Sequence, residues 1–290
     1  MKRNPRLFES LLGLNARNLD YVYPHNPRRY FPQVDDKIKS KEILLNNGIP
    51  VPETLGICDS FVTLESTMET IDKLDTFVMK PSKGRAGGGI LLLTKESPGM
   101  WRTPSGKPKR RSDIETHIGE ILFGVYSFGG SDDRVLMEKL IVPDEFFREI
   151  YRGGVADIRV ILFRNRPVMA MARIPTSRSE GKANLHQGAV GIGIDIQDGV
   201  FTTAALKGRV IEVHPDTQIP LPGRIIPSWK DVVRIATEAS RSVDLGYLGV
   251  DVVLDEHEGP LILELNARPG LEIQSVNRKG LSDELIRVKS

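Results

Sequence analysis

The chain has 290 residues, of which 40% are hydrophobic and 27% charged, and its 40 Lys+Arg against 38 Asp+Glu leave a formal net charge of +2. That is an ordinary globular composition, long enough for one large or two ordinary domains, and the balanced charge argues against a general nucleic-acid binder while leaving room for a local basic patch. The single cysteine, Cys58, excludes an internal disulfide, Glu9, Arg17 and Asp20 interrupt any apolar leader, and no stretch approaches the ~20 apolar residues that span a bilayer, so a cytoplasmic protein is expected.

Residues 5–20 read as an amphipathic helix with Leu7, Phe8, Leu11, Leu12 and Leu19 near one side, ending before the turn-rich Tyr23-Pro24-His25-Asn26-Pro27. A second helix is capped by Asp35 or Asp36, carries Ile38, Ile43, Leu44 and Leu45, and stops at Asn47-Gly48. Residues 76–80 and 89–94 read as strands flanking a glycine-rich segment. Residues 96–133 read as irregular at first, with Pro98, Pro104 and Pro108, and then as a helix around 114–123. Three strands follow at 134–141, 156–164 and 167–175, the last two joined by a two-residue turn at Asn165-Arg166. Ser228 caps a helix that runs to about Leu245 and ends at Gly246. Residues 248–254 and 260–266 complete the pattern as two apolar strands. Strands outnumber helices and hairpins join them, which predicts an α+β fold rather than a doubly wound sheet.

Those last strands carry the sharpest chemical signal. Glu264 and Asn266 are two residues apart, so they share a face, and Asp251 on the preceding strand completes a set of two carboxylates and one amide. Such oxygen donors suit Mg²⁺, which takes few protein ligands and leaves its other positions to water and phosphates. A hairpin with a wet polar face is the plainer alternative. Upstream, Lys80 ends a strand and leads into Pro81-Ser82-Lys83-Gly84-Arg85-Ala86-Gly87-Gly88-Gly89. Glycines let backbone N–H groups close around phosphate oxygens, although the order matches neither a P-loop nor a dinucleotide fingerprint and a simple turn would look alike. Glu138-Lys139-Leu140 stands where a strand gives way to a connection, whose backbone groups could pair with a purine edge. Asp157-Ile158-Arg159 opens one strand and Arg173 lies near the end of its partner; arginines beside a phosphate site stabilise a transferring phosphoryl group. With a turn at Asn165-Arg166, however, Arg159 faces Ala172 and Arg173 points to the other side, so the two converge only if a bulge intervenes. His186 has no second His or Cys at ligand spacing and reads as a hydrogen-bonding residue.

Taken in order, the lysine, the glycine segment, the strand-end Glu138, Asp157-Ile158-Arg159, Asn184-Leu185-His186, Asp251 and Leu263-Glu264-Leu265-Asn266 with Pro269-Gly270 resemble the ATP-grasp superfamily, and within it the RimK-type α-L-glutamate ligases. The resemblance covers 36 to about 272. It implies two α+β lobes enclosing an ATP site: residues 36–140 as the first lobe with a basic insertion, 141–290 as the second with the metal site, and 1–35 as a short extension where such ligases usually carry a front domain. It implies Lys37, Lys80, Gly84, Gly87, Gly88, Glu138, Lys139, Leu140, Asp157 and Asn184 at the nucleotide, Asp251, Glu264 and Asn266 on Mg²⁺ or Mn²⁺, and Arg159 and Arg173 as catalytic arginines. Gln187 and Arg268 depart from the arginine and serine that these ligases tend to have there. The expected reaction joins a small, glutamate-like amino acid to an acidic peptide or small-acid acceptor through an acylphosphate; a kinase-like phosphotransferase and a non-catalytic nucleotide-binding module are the alternatives. The basic run Arg102, Lys107, Lys109, Arg110, Arg111 is either a solvated loop or a collector of the acidic acceptor.

Overall fold

A computed structural model describes residues 10–84 and 87–289. By its contacts the chain divides into two compact units, Met1–Asp35 with Lys39–Val51 and Val142–Ser290, and Asp36–Ile38 with Pro52–Ile141. Residues 39–51, expected in the first lobe, therefore group with the C-terminal half, as do residues 10–35. Helix α1 (Lys37–Asn46) opens in the smaller unit and continues in the larger, and Asp36 caps it by accepting the Ile38 N–H at 3.1 Å.

The smaller unit is a six-stranded antiparallel sheet of β1 (Thr54–Cys58), β2 (Thr76–Pro81), β3 (Leu91–Ser97), β4 (Met100–Arg102), β5 (Pro108–Arg110) and β6 (Val135–Glu138), in the order β1-β6-β2-β3-β4-β5. Helices α2 (Leu64–Ile71) and α3 (Arg111–Leu122) bury Met68, Ile71, Ile114 and Ile118 against Phe77, Met79 and Met137. Because side chains alternate, Phe77 and Met79 point to those helices while Val78 and Lys80 take the opposite face. The expected irregular stretch contains a β-ribbon instead. Fully buried Trp101 draws β4 into the sheet, and Pro108, unable to donate to a ladder, stands at the first position of β5. Its basic run is also less available than its composition suggests: Arg111 reaches Glu65, Asp72 and Glu115 at 2.8, 2.8 and 2.9 Å, and Arg102 reaches Glu96 at 2.5 Å.

The larger unit holds a seven-stranded antiparallel sheet: β7 (Asp157–Phe163), β8 (Arg166–Ile174), β9 (Val190–Ile194), β10 (Phe201–Leu206), β11 (Arg209–Ile211), β12 (Tyr247–Asp255) and β13 (Gly259–Asn266), in the order β11-β10-β9-β8-β7-β12-β13. The short helix α4 (Glu145–Ile150) precedes it, capped by Asp144. One face packs Ile158, Val160, Val250 and Val252 against Val232, Ile235 and Ala236 of α5 (Trp229–Arg241). The other packs Ile161, Phe163, Met169, Met171 and Tyr247 against Leu12, Tyr21 and Val22 and against α6 (Glu272–Asn277) and α7 (Leu281–Lys289). Gly191 and Gly193 let α6 come close: a Cβ at either would lie 2.7 Å from Val276 or 2.9 Å from Asn277.

The expected helix over 5–20 begins outside the described residues and ends later than predicted. Helical turns run from Leu14 to His25, with a wide five-residue turn over Asn18–Val22 just ahead of Pro24, where Pro24's missing N–H costs least. Among the described residues no helix is long and apolar enough to cross a membrane.

Fully buried His214 ties the residues ahead of β9 to this unit. Its Nε2–H donates to Pro175 O at 2.9 Å and its Nδ1 accepts the Asp216 N–H at 3.4 Å, an arrangement only the neutral ring can make. Burial holds its pKa below the usual 6.5, against the pull of Pro175 O and Asp216. A histidine with a lowered folded pKa contributes stability above its unfolded pKa, and that contribution is lost as pH falls. Chemical denaturation of the wild type should therefore show stability declining between pH 7 and pH 5 more steeply than that of His214→Gln.

Candidate active site

Strand register decides which side chains meet. β7 and β8 are joined one residue earlier than the pattern predicts: Phe163 pairs with Arg166, and Arg164 and Asn165 form the turn at φ 50° and 61°. The register then slips between Ile161 and Leu162, where Pro167 and Met169 are the partners and Val168 is the extra residue. Beyond this bulge Arg159 pairs with Met171 and Asp157 with Arg173, so all four share one face. On its other side Arg159 pairs with Asp251, and Asp251 pairs with Glu264.

Four charges interlock there. Arg159 Nε and Nη2 each donate to Asp251 at 2.7 Å. Arg173 Nε and Nη2 each donate to Asp157 at 2.6 Å, and Arg173 Nη2 also reaches Asp251 at 2.8 Å. Both carboxylates are buried, Asp251 at 2% exposure and Asp157 at 5%. Burial alone would raise the pKa of Asp251, but Arg159 and Arg173 together hold it down to about 2. Asp157 has one guanidinium, and burial, aided by the charge of Asp251 and opposed by Arg173, pushes it up to about 6. Burial would lower Arg173, yet Asp157 and Asp251 raise it. The expected arginines and the expected metal carboxylate therefore meet on one face, bonded to each other.

Asn266 pairs with Gly249 across β12 and β13 and donates Nδ2 to Asp251 at 3.3 Å, which commits the amide nitrogen and leaves Oδ1 as the donor atom for a cation. The half-buried Glu264 adds a carboxylate beside it. Among the described residues no group of three or more His, Cys, Asp or Glu is placed to hold a metal. The set fits Mg²⁺ through Glu264 and Asn266, with both oxygens of Asp251 taken up by guanidinium groups. Asn184 caps the short turn Leu185–Gln187 by accepting the His186 N–H at 3.0 Å, and exposed His186 lies 3.0 Å from Glu272, the hydrogen-bonding role its isolation predicts.

In the smaller unit Val78 pairs with Glu138, so Lys80 and Glu138 share the face away from α2 and α3. They form a buried ion pair at 2.5 Å with side chains 7% and 2% exposed. The strand ends at Glu138, short of the predicted 141, and leaves Lys139 and Leu140 outside the ladder; the Lys139 N–H donates to Glu53 O at 3.0 Å. Gly87 and Gly89 have φ of 76° and 73°, and Pro81 would collide with a Cβ at Gly84, so glycine is required at all three. Lys37 Nζ donates to Gly84 O at 2.7 Å. Asp36 accepts from Ser82 Oγ and, at 2.8 Å, from Arg134. Ser82, Asp133 and Arg134 were not foreseen as parts of the site, because the bonds that place them there join residues up to 98 positions apart.

A family model described as "Sugar-transfer associated ATP-grasp" matches residues 16–290. The chain belongs to this ATP-grasp family. It is 24% identical over 269 residues to a "Probable alpha-L-glutamate ligase" of Syntrophotalea carbinolica, covering 92% of this chain and 66% of that protein. It is 24% identical over 251 residues to one of Pseudomonas putida, covering 87% and 61%. The chain thus spans less than two thirds of the length of these curated relatives. A crystal structure of D-alanine–D-alanine ligase from Bacillus anthracis overlays with a TM-score of 0.48 at 15% identity, covering 89% of this chain and 66% of that one.

Two outcomes follow for this ATP-grasp site. Arg173→Ala takes from buried Asp157 the guanidinium that meets it at 2.6 Å; urea denaturation should show a loss of about 3–5 kcal/mol, the cost of breaking a buried pair. Lys80→Ala removes the ammonium that meets buried Glu138 at 2.5 Å and should cost about 3–5 kcal/mol, and Lys80→Ala/Glu138→Ala should recover part of it in the same assay.

Proposed function

We propose that this chain is the ATP- and Mg²⁺-dependent part of a carboxylate–amine ligase, in which Mn²⁺ can replace Mg²⁺. The observation that carries the reading is the shared face of Arg159, Arg173, Asp251, Glu264 and Asn266, where cationic donors stand beside oxygen donors for a metal. The γ-phosphoryl group of ATP passes to a substrate carboxylate, breaking its bond to the β-phosphate oxygen and releasing ADP. An amine then attacks the acylphosphate carbon, forms the amide and expels inorganic phosphate. Glu264 and Asn266 would hold Mg²⁺, which would supply neutralisation of charge on the terminal phosphates.

The chain's own residues supply position and charge, and the reaction needs no nucleophilic side chain. Lys80 spends one of its three N–H donors on Glu138, and the others are available to phosphate oxygen. Lys37 and the glycine segment add donors on the same unit, with Glu138, Lys139 and Leu140 at the adenine. On the larger unit Arg159 and Arg173 are fixed by Asp251 and Asp157, so their guanidinium groups are preorganised for charge that develops during transfer. Asp157 serves the nucleotide through Arg173, and Asn184 through the turn it caps. The amine is a small, glutamate-like amino acid and the acceptor an acidic peptide or small acid, a reading supported by the names of the curated relatives.

Incubation with ATP, Mg²⁺ and single amino acids, followed by phosphate release and mass analysis, tests this. Amide-linked products are expected; a phosphorylated acceptor without amide would favour a phosphotransferase. Glu264→Gln should lower turnover about 10²-fold, as loss of one well-placed electrostatic group does, with the thermal midpoint unchanged or raised. Turnover at the wild-type rate would remove Glu264 from the metal site.

A further inference from the structure

Both ends of the glycine segment are held by one stretch of chain, from α3 to the start of β6. At the leading end, buried Asp133 accepts the Lys83 N–H at 3.0 and 3.1 Å, the Arg134 N–H at 2.7 Å and the Ser127 hydroxyl at 2.5 Å. Gly84 forms an isolated bridge with the same Ser127. At the trailing end the His117 Nε2–H donates to Gly89 O at 2.9 Å. The ring of Tyr126 lies so close to Gly89 that a Cβ there would come within 2.7 Å of it. Glu120 links these two side chains, accepting the Tyr126 hydroxyl at 2.7 Å and lying 3.5 Å from His117 Nδ1. Burial, with the bond to Glu120, pushes the Tyr126 phenol up to about 12, so the hydroxyl stays a donor at any ordinary pH.

We infer that the stretch 111–133 is a two-ended clamp that positions Gly84 and residues 87–89 for nucleotide phosphate, with His117 a positioning residue at Gly89 and Asp133 one at Lys83. The inference rests on the ligase reading for the identity of the ligand and on the geometry for the clamp. A backbone whose N–H groups must converge on phosphate loses entropy when it is ordered, and glycines make that loss large. Fixing both ends beforehand removes part of the cost from binding. The contacts that do so come from residues 117–133, downstream of the basic run 102–111 that reads as either a solvated loop or a collector of acidic acceptor. The hydrogen bond made by His117 lies outside the ATP-facing set, so its removal acts on the nucleotide only through Gly89.

The test uses the full chain and two readouts. His117→Ala should raise the Kd for a non-hydrolysable ATP analogue with Mg²⁺ about fivefold, the worth of one hydrogen bond, and should speed amide exchange at Gly87, Gly88 and Gly89 by a similar factor. His117→Gln, which keeps a side-chain N–H, should restore both to within about twofold, while exchange at Phe77 and Met79 stays at the wild-type rate in both variants. Unchanged exchange at Gly89 in His117→Ala would overturn the clamp, and faster exchange with unchanged Kd would overturn its role in binding. Wild-type chain that bound no analogue would bring down the nucleotide reading and the positioning role together, whereas normal wild-type binding with an unaffected variant would bring down the clamp alone.

Discussion

A buried carboxylate on the penultimate strand of a seven-stranded sheet stays charged only if cations come to it, and the larger unit meets that demand for Asp251. Removing a carboxylate from water costs several kcal/mol even after relaxation, and attraction to a partner repays this only when geometry is close and remaining lone pairs are used. Arg159 approaches from the directly opposite position with a two-pronged contact, and Arg173 arrives diagonally while holding Asp157. Two acids and two guanidinium groups then balance. The second apolar core continues along the same face, which charged residues can share because their charges are already matched.

The same economy takes a different form in the smaller unit. Lys80 and Glu138 make a buried pair, and a lysine differs from an arginine here because its ammonium is a compact charge with three donors and no fixed plane. Such a group can keep one bond to its carboxylate while turning others to a ligand. An arginine locked into two parallel bonds is oriented once. Under the proposed reading the arginines would suit a site where transition-state charge develops at a fixed place, and the lysines one that follows phosphate oxygens.

Much of this was legible in the sequence, and the part that was not has identifiable causes. The strands of residues 76–80, 156–164, 248–254 and 260–266 show as short apolar runs, and the shared face of Glu264 and Asn266 follows from period two, whereas the place of Asp251 opposite Glu264 depends on the strand pairing. The bulge at Val168 does not show, because a strand with one extra residue has the composition of a strand without it. The pattern could state only that Arg159 and Arg173 need such a bulge to meet. Between residues 96 and 110 the prolines read as loop, whereas burial of Trp101 decided the outcome, a tertiary effect that local propensity does not register. The ion pairs of Arg111 likewise join residues up to 46 positions apart, so the run read as freely basic.

The arginine grip on Asp251 also explains why the third member of the set is an amide. Asn266 meets Asp251 through its nitrogen, so its side chain can donate to a carboxylate with one atom and present an oxygen to a cation with the other. An aspartate at this position would have no hydrogen to offer and would set a second negative charge against Asp251 within hydrogen-bonding distance, raising the cost of the buried cluster whenever metal is absent. A glutamine would carry the same groups one methylene further from β13. Position 266 thus meets the demand of compatibility with a buried anion through its nitrogen, and under the proposed reading its oxygen would serve a cation, a combination that the short amide offers at the distance the β12 and β13 pairing imposes.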